Sequence, residues 1–137
     1  MNIKLHKLLP ISAAAMLFAS FATAASADVT VKIGHVAPLT GGIAHLGKDN
    51  ENGARLAVEE INAKGLVVGG QKVTLVLDAQ DDAADPRTAT QVAQKLVDDK
   101  VVAVVGHLNS GTSIPASKIY SDAGIVQISP SATNPAY

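Results

Sequence analysis

Apolar and polar residues change period several times along this chain, and each change marks an element. From Val29 to Val36, Val29, Val31 and Ile33 alternate with Thr30, Lys32 and Gly34, the two-residue period of a strand. Pro38, Thr40, Gly41, Gly42 and Gly47 break that pattern and predict a loop over Ala37–Gly47. Between about Asp49 and Lys64, Ala54, Ala57, Val58 and Ile61 recur at i, i+3, i+4 and i+7, one face of a helix. Gly65 suits the left-handed residue after that helix, and Glu60 and Lys64 are spaced for a surface pair. Gly69-Gly70 predicts a turn within Val67–Gln71. Val73–Ala79 then alternates again, Val73, Leu75 and Leu77 against Thr74, Val76 and Asp78.

Gln80–Ala84 reads as an acidic loop whose Asp81 and Asp82 are solvated. Asp85-Pro86 supplies an N-cap and a proline at the first helical position. The helix over Pro86–Asp99 carries Ala89, Val92, Ala93, Leu96 and Val97 as an apolar stripe. Val101–Gly106 is an unbroken apolar run, the pattern of a strand buried on both faces. Small polar residues follow, Asn109 to Ser113, with Ser110 or Thr112 expected to cap the next helix. That helix covers about Ser113–Ala123, with Ala116, Ile119, Tyr120 and Ala123 inward and Pro115 in its first turn. Gly124 ends it, Ile125–Ile128 is a short strand, and Ser129–Tyr137 is a polar loop.

The order is βαβαβαβ with short connections. It predicts an α/β fold with a parallel, doubly wound sheet. The loops Ala37–Gly47, Gln80–Ala84, His107–Thr112 and Ser129–Pro135 all leave carboxyl ends of strands, the edge where such sheets bind ligands. Asn109–Ser113 is therefore expected to form part of a small-molecule site. The chain stops just after a strand, where a doubly wound domain would continue, so an incomplete lobe is expected over 28–137.

Composition narrows the function. The 137 residues are 47% hydrophobic and 17% charged, as in a packed core. No basic patch or aromatic-basic interleaving is present, so nucleic acid is not an expected partner. The chain has no cysteine, which excludes disulfides and thiol chemistry within it. Lys4 and Lys7 precede an apolar stretch from Leu8 to Phe21, and Ala25-Ser26-Ala27 follows. This is the pattern of a secretory signal peptide over residues 1–27, cut after Ala27, with Ala24 as second choice. Loss of that segment leaves 9 basic and 12 acidic residues. Without a cysteine after the cut a lipid anchor is excluded, and a soluble protein of a bacterial periplasm is expected.

Reactive constellations fail on spacing. Gly42–Asp49, GIAHLGKD, approaches a phosphate-binding loop, but Asp49 stands where Ser or Thr must hold Mg²⁺. His35, His45 and His107 lie near the ligand edge, yet none has a second ligand at i+3 or i+4, so no metal site is assigned and they read as solvated or hydrogen-bonded. Ser110 with His107 as base does not match a nucleophile elbow, and no acidic orienter shares their loop. What remains is hydrogen-bonding capacity: hydroxyls of Ser110, Thr112, Ser129, Ser131 and Thr133, and N–H groups at a helix start, a combination suited to a small carboxylate.

The chain resembles the periplasmic leucine/isoleucine/valine-binding proteins, receptors of branched-chain amino-acid ABC transporters. The matching stretches are GGIAHLGKD, NGARLAVEEINAKG, DAQDDAADPRTATQVAQKLV, VVGHLNSGTSIPASKIY and GIVQISPSATNP. The resemblance implies a type I periplasmic-binding fold of two α/β lobes joined by a hinge, of which residues 28–137 are most of the N-terminal lobe. It implies that Ser110 bonds the ligand carboxylate, and that Ala132 and Thr133, with Ser131 beside them, bond ligand through backbone groups and hydroxyls. Leu46 falls where the family often places an aromatic residue against the ligand side chain. Ala84 and Asn109 stand at the two positions that form a disulfide in some relatives. The implied activity is binding, with no catalytic residue and no cofactor. The implied partners are an amino acid of the Leu/Ile/Val class and a membrane permease, with the receptor itself a monomer. This lobe alone would bind weakly, one wall of the cleft being absent. A receptor for amides, urea or short-chain acids, a sensory ligand-binding domain, and a hydrolase using Ser110 are the alternative readings.

Overall fold

The computed structural model describes residues 28–137; the signal segment expected over 1–27 lies outside the described residues. The elements are β1 (Val29–Ala37), α1 (Ala44–Lys64), β2 (Leu66–Val68), β3 (Gln71–Asp81), α2 (Pro86–Asp98), β4 (Ala103–Gly106), α3 (Ser110–Asp122) and β5 (Val126–Ile128). They build one sheet in the order β2-β3-β1-β4-β5. The β1–β3, β1–β4 and β4–β5 pairs are parallel, and β2 runs antiparallel to β3.

Strand alternation sorts the side chains between two helical layers. Val36 and Val104 point to one face and pack with Ala93 and Leu96 of α2 and Ala116 and Tyr120 of α3, all buried. Ile33, Leu77 and Val105 point to the other face, toward Ala54, Val58 and Ile61 of α1. Helices on both faces of a largely parallel sheet are the doubly wound arrangement expected from the element order.

Several boundaries differ from expectation, each for a physical reason. Helix α1 starts at Ala44, so Gly47 lies inside it and not in a loop. A Cβ on Gly47 would stand 2.0 Å from the Pro38 carbonyl oxygen, so this glycine serves close approach of the helix to the β1 exit. The GIAHLGKD stretch is thereby mostly helix and offers no phosphate cradle. The Val67–Gln71 turn belongs to a hairpin whose first strand, β2, is only three residues long, too short to show alternation.

Strand β4 begins at Ala103, and only one of its faces is fully covered. Val104 is buried, whereas Ala103 and Val105 line an apolar groove of about 670 Å³ between α1 and the sheet. Helix α1 packs over β1 and β3, and this half of the sheet lies beside it.

Helix α3 begins at Ser110, three residues before the expected start, which moves Pro115 into its second turn. The carbonyl left without that N–H belongs to Gly111, which is exposed to solvent. Asn109 is the N-cap residue and makes no side-chain capping bond; neither Ser110 nor Thr112 takes that role. Ala123, expected inward, is exposed. The α2 cap is as expected, Asp85 Oδ1 accepting from Arg87 N at 3.0 Å and Thr88 N at 2.8 Å.

One side chain of α1 also reaches the sheet backbone. Asn62 Nδ2 donates to the Leu75 carbonyl and Asn62 Oδ1 accepts from Leu75 N, both at 2.8 Å, on the edge of β3 that β2 leaves open.

Candidate functional site

The loops leaving β1, β3, β4 and β5 meet at one edge of the sheet, and side chains join them. Asp81, at the end of β3, accepts from Leu39 N at 2.7 Å and Ala83 N at 2.8 Å through Oδ1, and from the Thr40 hydroxyl at 2.6 Å through Oδ2. Burial pushes the Asp81 carboxyl up, but the bonds from Thr40, Ala83 and Leu39 outweigh it and hold it below the ordinary aspartate value.

Asp82 is fully buried, with Oδ2 accepting from His107 Nδ1–H at 2.8 Å and Oδ1 accepting from Ala84 N at 3.0 Å. The expectation that both aspartates are solvated is therefore wrong. Each carboxylate collects N–H or O–H groups at a strand end that have no ladder partner there. His107 is likewise buried, its Nε2 standing 3.2 Å from the Tyr120 hydroxyl. Burial first, and then the Asp82 carboxylate, push the Tyr120 phenol up. Both nitrogens of the His107 ring are engaged, so the ring is not a base for Ser110. His35 in β1 is also buried, with neither ring nitrogen hydrogen-bonded. These burials depend on partners distant in the chain, and no local pattern signals them.

Gly106 makes the turn into His107 possible. Its φ is +140°, and a Cβ there would lie 2.3 Å from the Val36 carbonyl oxygen. From this point two polar segments run side by side. Ser110 Oγ accepts from Thr133 N at 3.1 Å and Asn134 N at 3.2 Å. Ser131 Oγ donates to the Leu108 carbonyl at 2.8 Å. Ser129 Oγ donates to the His107 carbonyl at 2.6 Å and accepts from Ala132 N at 2.9 Å.

These segments and α1 line an open pocket of about 430 Å³, bounded by Leu46, Asn50, Leu108, Asn109, Ser110, Ser131 and Thr133. Leu46, Ser110, Ser131 and Thr133, picked out from the sequence, thus share one space. Ala132 is not among the lining residues, and its N–H is held by Ser129. Asn50 and Leu108 were not expected; Asn50 reaches the site because α1 starts early, and its Nδ2 donates to the Leu46 carbonyl at 3.0 Å.

Chemically the cavity offers hydroxyls, one helix start and two leucines. Ser110 accepts two N–H bonds, and among the described residues no acceptor takes its own proton. That hydroxyl can donate to an anion placed at the start of α3, where the helix dipole also favours negative charge.

Comparison with known proteins bears on the family and the fold. A family model described as periplasmic binding protein matches residues 30–137. The Leu/Ile/Val-binding protein homolog 2 of Brucella abortus (strain 2308) is 48% identical over 111 residues, 81% of this chain and 29% of the relative. The leucine-, isoleucine-, valine-, threonine-, and alanine-binding protein of Pseudomonas aeruginosa is 44% identical over 122 residues, 89% of this chain and 32% of the relative. The crystal structure of the branched-chain amino acid transporter substrate binding protein LivJ from Streptococcus pneumoniae, in complex with isoleucine, superposes with a TM-score of 0.71 and 37% identity. That match covers 77% of this chain and 30% of the other. The chain spans just under one third of the length of the curated relatives it matches. The chain belongs to the periplasmic binding protein family, and its doubly wound sheet is that of the type I members.

Proposed function

We propose that this chain forms the N-terminal ligand-binding lobe of a receptor that captures leucine, isoleucine or valine for an ABC importer. The observation that carries the reading is the Ser110 hydroxyl. It is fixed by the amides of Thr133 and Asn134, keeps its proton for a ligand, and faces a cavity that also holds Leu46 and Leu108. A carboxylate placed there accepts from Ser110 and from the first turn of α3, while the Thr133 hydroxyl lies within the same wall. An aliphatic side chain then lies against Leu46 and Leu108. Similarity to amino-acid receptors at 44–48% identity supports this ligand class.

In this reading the event is capture and release. A second lobe closes over the cavity, and a membrane permease receives the ligand. The protein acts as a periplasmic monomer, exported through the segment over 1–27, with Ser110, Ser131 and Thr133 gripping the ligand head and Leu46 its side chain. Titration calorimetry of the complete two-lobed receptor tests the reading. Leucine, isoleucine and valine are expected to bind, and 3-methylbutylamine, which lacks the carboxylate, is not. Heat from urea or acetamide with none from the three amino acids would overturn it.

A further inference from the structure

The two segments that line the cavity share a root, the backbone carbonyl of His107. It accepts from the Ser113 hydroxyl at 3.0 Å and from the Ser129 hydroxyl at 2.6 Å. Ser129 in turn receives Ala132 N at 2.9 Å, next to Thr133, whose N–H lies on Ser110. The position of one residue therefore sets both the start of α3 and the loop after β5. The His107 side chain is held equally firmly at the other end. Asp82 and Tyr120 clamp its two nitrogens, and all three side chains are fully buried. Asp82 is itself fixed, its N–H on the Ala37 carbonyl at 3.3 Å and its carbonyl receiving Asp85 N at 2.8 Å. The chain of contacts thus runs from the ends of β1 and β3 and the start of α2, through one imidazole, to the cavity wall.

We infer that Asp82, His107 and Tyr120 are positioning residues: a buried clamp that holds both cavity-lining segments in one register without touching the ligand. The carboxylate only accepts, so Nδ1 carries the proton, and Nε2 is placed to accept from the Tyr120 hydroxyl. In Asp82→Asn the bond from Ala84 N keeps the amide oxygen on the Oδ1 side. The amide NH₂ then faces Nδ1 and drives the ring proton to Nε2, which donates to the Tyr120 oxygen; the charge-assisted bond at Nδ1 becomes a neutral one and the Tyr120 hydroxyl loses the acceptor of its own proton. The clamp relaxes, and His107 with its carbonyl shifts under both segments.

The test is made on the full-length chain and has one arm that needs no ligand. ¹⁵N spectra of the histidine ring should show Nδ1 protonated in the wild type and the proton on Nε2 in Asp82→Asn. Amide exchange at Ala132 and Thr133 should accelerate about tenfold, the worth of one charge-assisted hydrogen bond, while amides of α1 stay as they were. Tyr120→Phe keeps the packing and removes only the hydroxyl; it should move the Nε2 resonance and accelerate the same amides by a smaller factor. In the ligand arm, which rests on the amino-acid reading of the cavity, the Kd for L-leucine should weaken about tenfold in Asp82→Asn. A matched core variant, Leu96→Val, should lower the melting temperature without either selective effect. Uniform exchange acceleration across the chain, or unchanged Ala132 and Thr133 amides, overturns the clamp; should Asp82→Asn not fold, Tyr120→Phe alone decides. A wild type that binds no leucine, isoleucine or valine overturns the receptor reading instead, and the ¹⁵N and exchange results still judge the clamp.

Discussion

Thr133 N donates to Ser110 Oγ across 3.1 Å, joining the turn after β4 to the loop after β5. The two residues meet because β4 and β5 are parallel neighbours, so both loops leave the sheet on the same side. The receptor reading requires this contact, since one small solute must touch both.

Replacing Ser110 by Ala removes a donor to the ligand and leaves two loop amides without their acceptor. Affinity for the preferred amino acid should fall by about 1.5–3 kcal/mol, the range for a hydrogen bond to a charged group. The melting temperature should change little, because the loop is exposed. Calorimetry on the full-length protein checks this; unchanged affinity would remove Ser110 from the site.

Gly47→Ala would place a methyl on the Pro38 carbonyl, 2.0 Å away before any relaxation. The start of α1 must move, carrying Leu46 and Asn50 with it. A stability loss of about 1–3 kcal/mol is expected from such overpacking, read as a lower urea midpoint at unchanged slope. Gly53→Ala, where a Cβ meets nothing within 4 Å, is the control and should be neutral or stabilising.

The elements were legible in the sequence where a single period governs them. The alternation of β1 and β3, the α2 stripe and the Asp85 cap all stand in the structure as the pattern predicts. That the loops after β4 and β5 share one edge of the sheet followed from the element order, whereas the pairing of Ser110 with Thr133 came from the family resemblance. Three features did not show. The start of α1 was hidden because glycine reads as a loop signal, while Gly47 is needed for lack of a side chain. Strand β2, at three residues, is too short to display a sustained alternation. The burial of Asp82 was invisible because its partner, His107, lies 25 residues further on, and local polarity points outward.

His35 sets an acid dependence of stability. Burial pushes its pKa below the ordinary value of 6.5, so the folded state binds fewer protons than the unfolded one. Its contribution is complete above pH 6.5 and is lost as pH falls below that value. Urea midpoints measured from pH 7.5 to 5.5 should decline in the wild type, and the decline should be shallower in His35→Leu. An identical slope in both would exclude this origin.

Asp81 acts lower on the scale. Its folded pKa lies below the ordinary 3.8, so its stabilisation is present above pH 3.8 and disappears as pH drops through the folded value. Asp81→Asn should lower stability at pH 7 and flatten part of the acid limb below pH 4. Glu51, Asp85 and Asp99, also held below their ordinary values, keep the remainder of that limb. Acid titration by circular dichroism compares the two proteins.

Asn62 has a consequence of its own. By giving Leu75 both a donor and an acceptor, its amide imitates an adjoining strand for one residue, just where the outer border of the sheet would otherwise stand ready to recruit a foreign chain. One short side chain thus guards this border against intermolecular zippering, from a position remote from the cavity.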